Sequence, residues 1–208
     1  MDKRAKGPVV SVIDDDRSYR SWIEATLQAE GFTVESYECG RGFLEDCPPD
    51  RRGCALIDLA MPAIHGAELL LEMRSRGFQM PIIFLTATAD VGTTATVMRG
   101  GALDLIEKPC EAALLVERVR EAFAVDCKTA ADRDVIEKQS RRLAQLTARE
   151  RQVMELAVGG LANKQIARNL TISERTVEVH RARVMQKMEV ESFADLVARH
   201  VSFVSTAA

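Results

Sequence analysis

One stretch of the sequence decides the predicted fold: Cys54-Ala55-Leu56-Ile57-Asp58-Leu59-Ala60-Met61-Pro62. An apolar run ends on an acidic residue, and a proline follows shortly after. Similar short apolar runs occur at residues 9–13, 81–85 and 102–106, and helix-like segments separate them. Short apolar runs that alternate with helical patterns are typical of parallel strands in βα units. The sequence therefore predicts an α/β fold with an open parallel sheet.

Each of these four runs is followed by polar or charged residues. Asp14-Asp15-Asp16 follows the first run, Asp58 closes the second, Thr86 closes the third, and Lys108 with Pro109 follows the fourth. In an open α/β sheet, ligands bind where the carboxyl ends of the strands meet. We therefore expect carboxylates, a hydroxyl and an ammonium group to converge on one small site.

The charges of this site predict its chemistry. Crowded carboxylates repel one another and do not all stay ionised without a cation. A hard divalent ion with oxygen ligands, most commonly Mg²⁺, relieves this repulsion. A carboxylate beside Mg²⁺, a lysine and a hydroxyl donor suits attack on phosphorus, because positioning and charge neutralisation carry most of that catalysis. The product would be an acyl phosphate on Asp58.

Residues 8–126 resemble the receiver domain of a two-component response regulator. The resemblance rests on the acidic cluster, the Asp58-x-x-Met61-Pro62-x-x-x-Gly66 pattern, Thr86 and the Lys108-Pro109 pair. It implies a doubly wound, flavodoxin-like sheet of five parallel strands near 8–13, 33–37, 54–59, 81–85 and 102–106. It also implies helices near 17–29, 40–46, 65–75 and 91–99, and one from about 111.

The resemblance implies a role for each residue of the site. Asp58 would be the phosphoacceptor, Thr86 would donate to the phosphoryl oxygens, and Lys108 would pair with the phosphoryl charge. A cis peptide bond before Pro109 would aim the lysine into the site. Oxygen atoms of four residues would hold Mg²⁺ or Mn²⁺: Asp14, Asp15 as a direct ligand, Asp58 and the backbone carbonyl of Ala60.

The chain departs from the family at Leu105. Family members normally carry an aromatic residue three positions before the lysine, and this residue swings inward after phosphorylation. Cys110 likewise stands where Phe often follows the proline. We expect Leu105 to give a smaller change in surface shape, and hence a shallower switch with appreciable activity in the unphosphorylated protein.

The composition excludes several classes of protein. Its 47% hydrophobic and 28% charged residues are typical of a soluble globular protein. No apolar stretch approaches the roughly 20 residues of a membrane helix, and residues 1–8 lack the apolar segment of a secretory signal. The five cysteines form no close pair, which predicts reduced thiols and a cytoplasmic protein.

The formal charge of −3 is unevenly distributed along the chain. Residues 1–127 carry −7 and residues 128–208 carry +4, with +6 concentrated in residues 141–187. A basic second half on an acidic chain predicts a polyanion as the partner of that half.

Helix-capping patterns divide the second half of the chain. Thr147-Ala148-Arg149-Glu150 has the capping-box spacing, and Asn163, Ser173 and Ser192 are predicted to cap three further helices. The second and third helices are separated only by a tight turn through Thr171-Ile172, which predicts a helix-turn-helix.

Residues 143–204 resemble the four-helix DNA-binding domain of the LuxR/FixJ/NarL class. The resemblance rests on a dense set of spaced residues: Leu146-Thr147-x-Arg149-Glu150, Gly160-Leu161-x-Asn163-Lys164-x-Ile166-Ala167, Leu170-x-Ile172-Ser173-x-x-Thr176-Val177-x-x-His180 and Met185-x-Lys187-Met188. Together the two resemblances imply a FixJ-type architecture in three parts: a receiver domain at 8–126, a helical linker at 127–142 and an all-α helix-turn-helix domain at 143–208.

The third helix of this domain is expected to enter the major groove. By resemblance, Glu178, Val179 and Ala182 would lie near base edges. The other predicted DNA-binding residues would make phosphate or mixed contacts: Lys164, Arg175, Thr176, His180, Arg181, Arg183 and Lys187. The expected protein is a phosphorylation-regulated transcription regulator whose partners are a sensor histidine kinase, promoter DNA and, after phosphorylation, a second copy of itself.

Two alternatives remain at this point. A phosphatase of the haloacid-dehalogenase type would use Asp14 and Asp16 as nucleophile and acid, with Thr86 and Lys108 in its later motifs. That interpretation leaves Asp58 without a role, and Ser18 stands where Thr or Val is expected. A constitutive DNA binder, in which the receiver only mediates dimerisation, is the other alternative, and Leu105 is the feature that favours it.

Overall fold

Five parallel strands form the sheet that the sequence predicts. They are β1 (Val9–Ile13), β2 (Val34–Tyr37), β3 (Gly53–Asp58), β4 (Ile82–Thr86) and β5 (Asp104–Glu107). Their order in the sheet is β2-β1-β3-β4-β5, and each neighbouring pair is parallel. The computed structural model describes residues 7–62, 65–88 and 91–199.

Helices cover both faces of this sheet. They are α1 (Arg17–Ala29), α2 (Gly40–Asp46), α3 (Gly66–Ser75), α4 (Val91–Arg99) and α5 (Ala112–Ala144). One apolar cluster includes Phe43, Leu69 and Phe84, and a second includes Ile23 and Leu115. Strands that are buried on both faces need apolar residues at nearly every position, and this explains the short apolar runs of the sequence. The doubly wound fold is confirmed.

The predicted limits of the last strand are wrong by two residues at its start. The run 102–106 predicted a strand that includes Ala102, whereas β5 begins at Asp104. The Ala102 amide donates instead to the Val97 carbonyl and so closes the last turn of α4. Strand pairing begins only after this turn, where the Leu103 amide donates to the Ile82 carbonyl.

A glycine is required where β3 begins. Gly53 has a φ of +126°, and a Cβ atom there would lie 1.9 Å from the carbonyl oxygen of Val9 on the neighbouring strand. Its amide donates to the carboxylate of Asp126 at 3.1 Å, and the same carboxylate accepts from Nε of Arg52 at 2.7 Å. Asp126 is 3% exposed, so this contact fixes one end of β3 against α5.

The chain separates into two units, Met1–Ala130 and Ala131–Ala208, and the boundary lies within α5. The second unit continues with α6 (Ala148–Val158), α7 (Asn163–Leu170) and α8 (Glu174–Met188), and residues 193–199 are also helical. Two adjoining apolar clusters hold these helices together; one contains Met154 and Met188, and the other contains Ile166 and Val177. None of the helices in the described ranges combines the length and the apolar character needed to cross a bilayer.

Most predicted caps of the second unit are confirmed, and one is wrong. Thr147 and Glu150 form a reciprocal capping box, and the Ser173 side chain accepts from the Thr176 amide. Asn163, however, is the first residue of α7, and Ala162 takes the capping position. Gln165 satisfies this helix end instead, because its side-chain oxygen accepts from the Ala162 amide at 2.9 Å.

Candidate functional site

The carboxyl edge of the sheet brings four of the predicted site residues together, Asp14, Asp15, Asp58 and Lys108. The strand register pairs Ile13 with Ile57 and Asp58 with Leu85, so the residues that follow β1, β3 and β4 emerge side by side. Three acids supply oxygen atoms that lie within 4.8 Å of one another: Asp14, Asp15 and Asp58.

These acids differ strongly in exposure. Asp14 is fully buried and Asp58 is 6% exposed, whereas Asp15 is exposed. Burial raises the pKa of Asp14, and the opposing hydrogen bond from Lys108 does not fully offset this effect. A buried carboxylate beside two others needs positive charge, and a set of carboxylate oxygens matches the ligands that Mg²⁺ prefers. The residues present therefore fit a hard divalent cation.

Lys108 provides the positive charge of the site. Its ammonium nitrogen lies 2.7 Å from Oδ2 of Asp14 and 3.2 Å from Oδ1 of Asp58. The Lys108–Pro109 peptide bond is cis, as the resemblance implies. The lysine side chain is 15% exposed, so these ion pairs are shielded from solvent more than a surface pair would be.

Asp16 has a different task from its two acidic neighbours. Its carboxylate accepts from the amides of Ser18 and Tyr19 and so caps α1. The phosphatase alternative needs Asp16 as an acid in the site, whereas Asp16 engages Oδ1 in this cap and is not among the three clustered acids. The structure therefore favours Asp58 over Asp16 as the acid that completes the cluster.

The hydroxyl of Thr86 lies at the end of β4 but is turned toward its own backbone. It donates to the Thr88 carbonyl at 2.8 Å and accepts from the Thr88 amide at 3.2 Å. Leu105, which the resemblance predicts to be the switch position, is half-buried and packs against the apolar cluster that contains Phe84. The backbone of Ala60 also contributes, because its amide donates to Oδ1 of Asp58 at 3.3 Å.

Two residues border this site that were not predicted as site residues, Tyr19 and Cys110. The ring of Tyr19 lies beneath the Lys108 ammonium, 4.6 Å from the nitrogen to the ring centroid. Its hydroxyl oxygen lies 3.3 Å from Sγ of Cys110. Tyr19 occupies an ordinary position in the first turn of α1, and only the folded chain brings it to residues 108–110.

The second unit contains the predicted helix-turn-helix, formed by α7, a turn at Thr171 and α8. Six of the predicted DNA-binding residues are exposed: Lys164, Arg175, Glu178, Val179, Ala182 and Arg183. Arg175 and Glu178 form a weak ion pair at 3.4 Å. In the described part of the chain, Lys164 and Arg183 have no ion-pair partner, so their charges face solvent.

The other four predicted DNA-binding residues are half-buried and mostly engaged within the unit. Nζ of Lys187 pairs with the carboxylate of Glu150 at 2.6 Å. Arg181 donates to Oδ1 of Asn163 and lies 4.2 Å over the Phe193 ring. Thr176 bonds to the Ser173 hydroxyl. Nδ1 of His180 is buried without a hydrogen-bond partner among the described residues. Lys187 and Arg181, which the resemblance assigns to phosphate or mixed contacts with DNA, are thus engaged within the unit.

Both halves of the chain match families of known proteins. The response regulator receiver domain matches residues 10–120, and the luxR family of bacterial regulatory proteins matches residues 144–199. The transcriptional regulatory protein FixJ of Azorhizobium caulinodans is 41% identical over 188 residues, which is 90% of this chain and 89% of that protein. Response regulator protein TodT of Pseudomonas putida is 30% identical and covers 92% of this chain and 85% of its own length.

Solved structures show the same likeness. The response regulator StyR superposes with a TM-score of 0.86 at 36% identity, over 94% of this chain and 98% of that chain. Full-length FixJ from B. japonicum gives a TM-score of 0.58 at 37% identity, over 95% of this chain and 97% of that one. A receiver domain followed by a luxR-type DNA-binding domain defines the class of response regulators that regulate transcription. Within that class, the chain belongs to the FixJ family.

Proposed function

We propose that Asp58 accepts a phosphoryl group from a sensor histidine kinase, and that the resulting acyl phosphate controls dimerisation and promoter binding. The observation that carries this proposal is the position of the Asp58 carboxylate, 3.2 Å from the Lys108 ammonium and within 4.8 Å of two further acids. A carboxylate held between a cation and a candidate metal site suits in-line attack on phosphorus.

Each residue of the site has a proposed role in this reaction. Asp14, Asp15, Asp58 and the Ala60 carbonyl would hold Mg²⁺ or Mn²⁺, which would neutralise charge on the transferring phosphoryl group. Asp58 supplies the attacking oxygen, and Lys108 balances the charge of the product. Thr86 must rotate away from the Thr88 carbonyl, its present partner at 2.8 Å, before it can donate to a phosphoryl oxygen.

The direct test uses the purified full chain with acetyl phosphate as the small phosphodonor. Intact-mass spectrometry should detect one added phosphoryl group in the presence of MgCl₂ and none after chelation of the metal. An unlabelled protein at saturating donor and MgCl₂ would overturn the proposal. The chain would then be a constitutive DNA binder whose receiver serves only dimerisation.

The exposed residues of the helix-turn-helix are proposed to make two kinds of contact with DNA, one to base edges and one to phosphates. Glu178, Val179 and Ala182 are proposed to approach base edges, since they follow one another along the exposed face of the helix. Lys164, Arg175 and Arg183 are proposed to contact phosphates. Half-buried His180 and Thr176 stay candidates for the edge of the interface. We assign Lys187 and Arg181 mainly to the internal contacts described above.

The salt dependence of binding tests the phosphate contacts. Replacing Lys164 and Arg183 together with Gln should lower the slope of log affinity against log salt by about 2, because each lost phosphate contact removes about 1 from the slope. A mixed-sequence duplex in a fluorescence-anisotropy titration gives this slope. Lys128→Gln removes one positive charge from an exposed position of α5, and should leave the slope as it is. An unchanged slope in the double variant would exclude these contacts.

The amplitude of the switch tests the role of Leu105. We expect phosphorylation to raise the DNA affinity of the natural protein by less than about a hundredfold, or about 2.7 kcal/mol, because a leucine changes the surface less than an aromatic ring. The affinity is measured with and without acetyl phosphate, on a duplex recovered by genome-wide capture with the phosphorylated protein. Leu105→Tyr should widen the difference, whereas Leu71→Tyr, at a residue 64% exposed on α3, should not. A larger change in the natural protein would refute the expectation.

A further inference from the structure

Tyr19 is placed where it can act on the catalytic lysine without touching the phosphoryl group. The Lys108 nitrogen stands over its ring at 4.6 Å from the centroid. The same nitrogen contacts Asp14 at 2.7 Å and Asp58 at 3.2 Å. Two carboxylates and the negative face of an aromatic ring therefore all contact the same ammonium group.

The ring itself is held on several sides. The Asp16 carboxylate accepts from the Tyr19 amide and so fixes the first turn of α1. The hydroxyl group lies 3.3 Å from Sγ of Cys110, on the segment that follows Lys108. The Trp22 ring packs one turn further along α1, with its centroid 5.2 Å away and its plane tilted by 31°. Burial and the Cys110 contact raise the pKa of Tyr19, so the phenol stays neutral.

We propose that Tyr19 is a positioning residue that holds the Lys108 ammonium toward Asp58 through the face of its ring. A lysine side chain has four flexible carbons, and confining it in advance lowers the cost of bringing it to the reacting group. An aromatic face attracts the cation but cannot be a hydrogen-bond partner for the carboxylates, so it does not compete with them. The proposal rests on the proposed function, because it assumes that Lys108 serves phosphorylation of Asp58.

The rate of phosphorylation separates positioning from simple packing. The full chain is labelled with acetyl phosphate and MgCl₂, and acyl phosphate formation is followed by intact-mass spectrometry. Tyr19→Leu should lower the rate at saturating donor about three- to tenfold, the range expected for a partly buried cation–π contact. Tyr19→Phe retains the ring face and should recover most of that rate, although it lacks the hydroxyl.

The second tyrosine of the chain provides a matched control. Tyr37 is also half-buried, and its hydroxyl bonds to Glu35 at 3.1 Å, away from Lys108. Tyr37→Leu should cost stability comparable to that lost in Tyr19→Leu without the same loss of rate. Equal losses of rate in the two leucine variants, or a Tyr19→Phe variant as slow as Tyr19→Leu, would assign Tyr19 a structural role and overturn the proposal.

Fluorescence tests the contact independently of phosphorylation. Trp22 is the only tryptophan of the chain and packs on the ring that Lys108 covers. Lys108→Met should therefore change the Trp22 emission in the natural background, and should change it much less when Tyr19 is already Leu. If acetyl phosphate labels no variant, the proposed function fails, and this comparison still decides whether the Tyr19 ring contacts and holds Lys108. An equal response to Lys108→Met in both backgrounds would contradict it.

Discussion

Asp58→Asn should abolish phosphoryl labelling by acetyl phosphate, a loss of more than about a thousandfold that is limited by detection, because the amide removes the attacking oxygen anion. The fold should tolerate the change. The asparagine oxygen can still accept from the Ala60 amide, now 3.3 Å from the carboxylate, and Lys108 keeps its 2.7 Å contact with Asp14. Intact-mass spectrometry of the full chain, followed by peptide mapping, measures the result.

Asp16→Asn is the matched control for this variant. Asparagine is as good a helix cap as aspartate, so α1 should keep its start and labelling should persist. The two variants also separate the candidate chemistries, since a phosphatase of the haloacid-dehalogenase type needs Asp16 and not Asp58. Label that survives in Asp58→Asn, or that disappears in Asp16→Asn, would overturn the assignment of Asp58 as phosphoacceptor.

Glu150→Gln should destabilise the second unit by about 2 kcal/mol. The Glu150 carboxylate is 3% exposed and pairs with Lys187, and it accepts from the Thr147 amide at 2.9 Å. Gln can keep the amide contact but leaves the lysine charge uncompensated. Breaking a fully buried ion pair costs about 3–5 kcal/mol, and we reduce this figure because the Lys187 side chain is 32% exposed.

This contribution should depend on pH in a defined direction. The Lys187 contact, with help from the Thr147 amide, lowers the pKa of Glu150 from 4.5 to about 2. A carboxyl group whose pKa is lower in the folded state stabilises the fold above the unfolded pKa, and this stabilisation disappears as the pH falls through the folded pKa. The difference in the free energy of unfolding between the natural protein and Glu150→Gln should therefore be largest above pH 4.5. It should decrease as the pH falls toward about 2.

Urea unfolding measures both effects. Trp22 fluorescence follows the first unit alone, and far-UV circular dichroism follows both, so the transition of the second unit is obtained from the two signals. Glu155→Gln changes an exposed acid on the same helix and should alter stability by no more than about 0.5 kcal/mol. A Glu150→Gln variant as stable as this control would show that the ion pair contributes nothing.

The acidic site was predictable because its residues are tied to strand ends. Asp58 and Lys108 each follow an apolar run, and parallel pairing brings such ends together whatever the details of packing. The contact between Tyr19 and Cys110 joins residues 91 positions apart and depends on the rotational position of α1 against the segment after β5. No local sequence pattern determines that rotation, so the contact between Tyr19 and Cys110 was not predicted.

In the second unit, one side-chain contact and one helix cap were not predictable from the sequence pattern. By resemblance, Lys187 was predicted to contact DNA, but a long side chain can fold back over the surface of its own domain. It reaches Glu150, 37 positions earlier, because the capping box has already fixed that carboxylate. At α7, Asn163 has the better intrinsic capping preference, yet the side chain of Gln165 satisfies the helix end one residue earlier.

The carboxylate of Asp126 extends the receiver beyond its recognisable sequence. The match to the receiver domains of known proteins ends at residue 120, but Asp126 accepts from the first amide of β3 and from Arg52. A fragment that ended at residue 120 would lack Asp126. The amide of Gly53 in β3 would then lose its acceptor, and the guanidinium of Arg52 would lose its counter-charge. The stretch that matches the receiver domain is thus shorter than the stretch that the central strand needs in order to be complete.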